Sequence, residues 1–174
     1  PLLWFHGTPG ARRQIAPEAH ERAWQRDVRI ICVERPGIGA STPHAYGAVI
    51  EFAADIARLL DALEVGRAAV AGLSGGGPYA LACAHEMPGR IVAAGILGGV
   101  APSRGIDAAE GGTSGLTRLF SPLVRLTRQP GGLLLRQIVQ TLEPLADQAV
   151  DLFARFMPPG DQRIFADAAT RRMF

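Results

Sequence analysis

Ser74 is the residue of clearest chemical potential, because of what surrounds it. It is the centre of Gly72-Leu73-Ser74-Gly75-Gly76, with the apolar run Ala68-Ala69-Val70-Ala71 in front and Pro78-Tyr79-Ala80-Leu81-Ala82 behind. A G-x-S-x-G pentapeptide between a short buried strand and a helix is the setting of a nucleophile elbow, a sharp turn that holds the hydroxyl clear of the backbone. Gly72 and Gly76 let the strand and helix approach without Cβ clashes, and Ser74 can be held in a strained conformation. The chemistry would be attack on a carbonyl carbon. The same residues also fit a glycine-rich turn whose serine only caps the helix opened by Pro78.

A second motif bears on that choice. His6-Gly7-Thr8-Pro9-Gly10 directly follows the apolar run Leu2-Leu3-Trp4-Phe5. Acyl transfer needs two donors where negative charge develops on the former carbonyl oxygen. The backbone N–H of Gly75, immediately after the serine, and that of Thr8 are the natural pair. His6 and Gly7 then serve as the supporting loop, the His6 ring bracing the turn.

These residues need elements that bring two turns to one edge of a sheet. Leu2 to Phe5, Val28 to Val33, Ala68 to Leu73 and Ile91 to Leu97 are short apolar runs separated by helical patterns. That alternation predicts an α/β fold with a mainly parallel sheet covered on both faces. The strongest helical pattern lies between Val49 and Glu64, with Phe52, Ile56, Leu59, Leu60 and Leu63 on one stripe and Gly66 as its stop. Weaker ones run from Pro17 to Arg26 and from Pro78 to Met87, the latter stopped by Pro88-Gly89. From Ser103 the strand patterns cease and helical spacing takes over, broken at Pro130-Gly131-Gly132, Pro144 and Pro158-Pro159-Gly160. The expected organisation is an α/β core over residues 1–102 and a helical cap or lid over 103–174.

Composition narrows the class. At 174 residues and 48% hydrophobic content the chain can bury one ordinary core. A net charge of +2, with scattered arginines, gives no electrostatic case for nucleic acid. Lysine and asparagine are absent altogether, a codon bias of GC-rich genomes without functional content. Cys32 and Cys83 form neither a disulfide framework nor a metal site, and read as buried thiols in a reducing compartment. The apolar stretch Ile91 to Ala101 is too short to span a bilayer. No cofactor or metal motif is present, and the expected location is cytoplasmic, with the native N-terminus expected upstream of Pro1.

A third motif completes a pattern. Glu34-Arg35-Pro36-Gly37-Ile38-Gly39-Ala40-Ser41 resembles the D-R-P-G-x-G-x-S loop of the α/β-hydrolase superfamily of esterases, lipases, peptidases and perhydrolases. With His6 to Gly10 as its oxyanion loop and Gly72 to Gly76 as its elbow, the chain resembles the N-terminal part of such a protein from Leu2 to about Val100. The resemblance implies a catalytic Ser74, oxyanion donors at Thr8 and Gly75, and an acyl-enzyme mechanism. Glu34 departs from the usual aspartate; its expected role is an ion pair with Arg35 or a neighbour. Ser41 is expected to be a turn or capping serine.

A larger departure concerns the base and the acid. The family order is serine, acid, histidine. After Ser74 the only histidine is His85, eleven residues on at the far end of the helix. At 1.5 Å per residue that is roughly 15 Å away. No carboxylate follows Leu97 in Gly98-Gly99-Val100-Ala101-Pro102, and the later aspartates fall in the connection or the helical segment. In the family the acid can follow a strand beyond the cap, with the histidine later still. The resemblance therefore implies a chain shortened at both ends, whose parent hydrolyses a carboxylic ester or related small acyl compound. The aliphatic and phenylalanine-rich patterns of the cap segment suggest an apolar acyl or alcohol group. Proline iminopeptidase-like, C–C hydrolase and perhydrolase members of the fold remain alternatives, although the iminopeptidases usually carry a bulky residue where Gly75 stands. From a different class, a non-catalytic ligand-binding module of the same fold remains open.

Overall fold

Leu2–Phe5 forms strand β1, and its alternation decides where the core lies. Leu3 and Phe5 are fully buried on one face, while Trp4 is buried on the other. That is the period-two pattern of a strand covered on both sides. The structure is a computed structural model, and it describes residues 1–8, 10–102, 106, 108, 141, 143–145, 148, 151–152, 155–156 and 158–171. Two compact units compose the chain, Pro1–Val100 with Ala168–Phe174, and Ala101–Asp167.

The first unit is a four-stranded parallel sheet of β1, β2 (Ile30–Val33), β3 (Ala68–Leu73) and β4 (Ile91–Leu97), in the order β2-β1-β3-β4. In register, Phe5 stands between Val33 and Gly72. The last residues of the three strands that precede the three sequence motifs therefore share one edge.

Helices α1 (Pro17–Gln25), α2 (Phe52–Ala62) and α3 (Gly77–Glu86) cover this sheet. Phe52, Ile56 and Leu60 of α2 join Leu3, Phe5, Val70, Ala80 and Cys83 in the main core. Phe5 and Phe52 meet edge to face, with centroids 5.5 Å apart. Ile15 and Ala19 pack with Trp4 and Ala71 in a smaller cluster on the opposite face. Burial pushes the Cys83 thiol up to about 12, whereas Cys32 is only half-buried.

Helix α2 departs from its predicted span. Residues Val49–Glu51 form a 3-10 turn before it, and it stops at Ala62, ahead of Gly66. Glu64 takes a left-handed conformation, φ 55°, and the N–H groups of Glu64 and Val65 donate to the carbonyls of Asp61 and Leu60. This is a Schellman cap with glutamate where glycine is usual. Helix α1 ends the same way: Asp27 has φ 51°, and Val28 N–H donates to the Ala23 carbonyl.

Strand β4 also differs from expectation. Only Ile91 in it is buried, and Val92, Ile96 and Leu97 are exposed. The predicted cover on both faces thus holds for β1 and β3 but not for β4, which ends the described sheet on one side as β2 does on the other.

Of the segment assigned to a cap, the stretches around 116–124 and 134–140 lie outside the described residues. The described part includes a 3-10 turn at Glu143–Leu145 and helix α4, Pro159–Ala166. Asp167 is extended and separates α4 from the short α5, Ala168–Arg171, which belongs to the first unit. The helical pattern after Pro158-Pro159-Gly160 is thus divided between two helices.

Candidate functional site

Strand β3 ends at Leu73, and the next residue reverses the chain. Ser74 has φ 47°, in the left-handed region that costs an ordinary residue about 1–2 kcal/mol. It opens a 3-10 turn, Ser74–Gly76, that runs directly into α3. Its carbonyl holds the conformation by accepting the N–H groups of Gly77 and, at 3.1 Å, Val100. The caps of this turn and of α3 are Leu73 and Gly76, neither with a side-chain hydrogen bond. The reading of Ser74 as a helix cap is thereby set aside.

Close approach explains the flanking glycines. A Cβ on Gly72 would come within 2.8 Å of the Gly77 nitrogen, and one on Gly76 within 2.7 Å of the His6 carbonyl oxygen. The elbow is therefore packed backbone to backbone on the end of β1. A Cβ on Gly75 would meet Thr8 Oγ1 at 2.6 Å and the Thr8 nitrogen at 3.4 Å. The two residues expected to donate to an oxyanion are neighbours across the sheet edge, although 67 positions separate them. Pro9 lies outside the described residues.

The loop after β1 is held from several sides. His6 is buried, and burial, against the opposing pull of the Gly7 carbonyl, lowers its pKa below the ordinary histidine value. Nδ1 lies 2.8 Å from the Gly7 carbonyl oxygen, and Nε2 lies 3.5 Å from the Arg35 backbone nitrogen. The neutral ring with a proton on Nδ1 satisfies both contacts. Both ring nitrogens thus face the loop backbone.

Two supports were not legible in the sequence. Gln14 Oε1 accepts the Gly7 N–H at 2.6 Å, while its own carbonyl accepts the Trp4 indole N–H at 2.7 Å. Arg35 donates from Nη1 to the His6 carbonyl, and from Nη2 to the Gly7 carbonyl at 2.8 Å and to Thr8 Oγ1 at 2.7 Å. Nothing in the spacing of Gln14 or Arg35 signals these bonds, which join residues 7 to 29 positions apart.

Glu34 faces elsewhere. Its carboxylate pairs with Arg12 at 2.8 Å and accepts the Ala40 N–H at 3.1 Å. The Ala40 N–H and the Arg12 charge hold its pKa below the usual carboxylate range, against a smaller push from burial. Of the two partners expected for Glu34, the neighbour takes the ion pair and the adjacent Arg35 does not. Ser41 Oγ donates to the Glu34 carbonyl at 2.8 Å, the role of a turn serine.

His85 is exposed on α3 beside Glu86, and His44 stacks edge to face on Tyr46, centroids 4.6 Å apart. Among the described residues no group of histidine, cysteine and carboxylate side chains could hold a metal ion, and no helix is long and apolar enough to cross a membrane.

A strained serine between a parallel strand and a helix, with an apposed loop after a neighbouring strand, defines the elbow of an α/β hydrolase. Residues 2–173 match the Alpha/beta hydrolase family, and the chain belongs to it. Solved structures agree on the fold. A hydrolase from Pseudomonas aeruginosa is 21% identical with a TM-score of 0.61, over 99% of this chain and 56% of that one. An alpha/beta hydrolase fold protein from Nakamurella multipartita is 24% identical with a TM-score of 0.59, over 99% and 58%. A thermophilic esterase from Thermogutta terrifontis is 23% identical with a TM-score of 0.55, over 80% and 49%. The chain thus spans about half the length of these relatives. A comparison with curated proteins finds no match.

Proposed function

We propose that this chain carries the nucleophile and oxyanion half of a serine esterase. The observation that carries the reading is Ser74 at φ 47°, at the end of β3 and beside a Gly75 in apposition to Thr8. Ser74 Oγ attacks the carbonyl carbon of a carboxylic ester. The resulting oxyanion accepts the N–H groups of Gly75 and Thr8. Collapse expels the alcohol and leaves an acyl-enzyme, which water releases. Neither His6, committed to its own loop, nor His85, at the far end of α3, is placed to act as the general base. The family membership and the esterase among similar folds support an ester as substrate, and the apolar residues patterned through 116–157 support an apolar acyl group.

The test compares the intact protein with Ser74→Ala on a panel of p-nitrophenyl esters. Turnover that disappears in the variant is the expected result. Equal turnover by both proteins removes the nucleophile assignment, and no turnover by either, with ester binding retained, favours a ligand-binding module.

A further inference from the structure

Arg35 follows Glu34 in sequence, yet among the described residues no carboxylate pairs with it. The residue is 8% exposed. Taking a guanidinium out of water is unfavourable unless its donors find acceptors. Here they find the His6 and Gly7 carbonyls and Thr8 Oγ1, and the Tyr79 ring lies 5.1 Å from the guanidinium carbon. The hydrogen bonds of this buried charge to His6, Gly7 and Thr8 all fall on the loop that follows β1.

We propose that Arg35 is a positioning residue that aims the Thr8 N–H at the oxyanion, a role that rests on the serine-hydrolase reading above. The reason is peptide geometry. The Gly7 C=O and the Thr8 N–H belong to one planar trans unit and point in opposite directions. A donor fixed on the Gly7 oxygen at 2.8 Å therefore turns the Thr8 N–H away from Arg35. The preceding peptide is held at both ends, with its C=O on Arg35 Nη1 and its N–H on Gln14 Oε1 at 2.6 Å. Two consecutive peptide planes are fixed before any substrate arrives. A charged donor on the carbonyl also polarises the Gly7–Thr8 peptide and strengthens donation from its N–H. The forked guanidinium reaches three acceptors at once, which a lysine ammonium, a point donor, does not reproduce.

The test uses the intact protein with Arg35→Met, Arg35→Lys and Ser74→Ala. The readouts are kcat and KM on p-nitrophenyl butyrate, and affinity for butaneboronic acid and for butanamide. The boronic acid becomes a tetrahedral anion on the serine, whereas the amide stays a neutral, planar carbonyl compound. In Arg35→Met, kcat and boronate affinity should fall together by about 100-fold, as when one oxyanion donor is lost. KM and butanamide affinity should change by no more than about twofold. Arg35→Lys should show the same split with a smaller loss. Unchanged kcat, or equal loss of boronate and butanamide affinity, overturns the proposal. If Arg35→Met does not fold, Arg35→Lys decides on the same readouts, and failure of both to fold assigns Arg35 to stability alone and overturns it. Turnover retained by Ser74→Ala overturns the hydrolase reading itself. A silent Ser74→Ala beside Arg35 variants at full kcat overturns only the positioning role.

Discussion

Gly75 and Thr8 stand in direct apposition: a Cβ on the glycine would lie 2.6 Å from the threonine Oγ1 and 3.0 Å from its Cβ. Neither neighbour is free to yield, because Thr8 Oγ1 is also bonded to Arg35 at 2.7 Å. Gly75→Ala should therefore displace the loop after β1. Removal of a single oxyanion donor lowers kcat about 100-fold, and a loss of that order is expected with KM little changed. Steady-state kinetics on a p-nitrophenyl ester check it. An alanine variant at full kcat would place the donor pair elsewhere.

Helix α2 offers a test of stability apart from chemistry. Glu64 holds φ 55° at its C-terminal cap, at an expected cost of about 1–2 kcal/mol relative to glycine. Part of that difference is offset by the greater freedom of glycine in the unfolded chain. Glu64→Gly should raise stability by roughly 0.5–1 kcal/mol, seen as a higher Tm with unchanged turnover. A lower Tm would mean that the carboxylate contributes more than the backbone strain removes.

Acidification should weaken the fold through His6. Burial lowers its folded pKa, so below the unfolded value of about 6.5 the unfolded chain takes up a proton that the folded chain refuses. Stability from this group is thus full above the unfolded pKa and is lost as pH falls towards the folded pKa. The slope per proton is at most about 1.4 kcal/mol per pH unit. Thermal melts between pH 7.5 and pH 5 should show Tm falling, and His6→Asn should flatten that fall. Parallel profiles for both proteins would assign the acid sensitivity to other groups.

How much was legible in the sequence follows from how local each signal is. The elbow was readable because strand, serine and helix lie within twenty residues, Ala68 to Glu86, and the glycines report close packing through their spacing alone. The four strands were readable from apolar runs, and their shared edge followed from the three motifs. The caps at Asp27 and Glu64 were not, because backbone bonds from Val28 to Ala23 and from Val65 to Leu60 close each turn and leave the left-handed position to a non-glycine residue. Arg12, Gln14 and Arg35 gave no signal either. The partners of Arg12 and Arg35 are brought near by the parallel register of β1 with β2, and Gln14 meets Gly7 through the fold of the loop after β1. The exposure of β4 was hidden because an apolar run reads the same whether or not its faces are covered.

The central claim is that Ser74 is an activated nucleophile, and covalent capture tests it most directly. The intact protein is treated with diisopropyl fluorophosphate, digested with trypsin and analysed by mass spectrometry. The peptide Ala68–Arg90 contains Ser74 as its only serine. A single phosphoryl adduct on that peptide, appearing in step with loss of esterase activity and absent from Ser74→Ala, is the predicted result. Activity that is lost with the label on another peptide, or that survives complete labelling of Ser74, would contradict it.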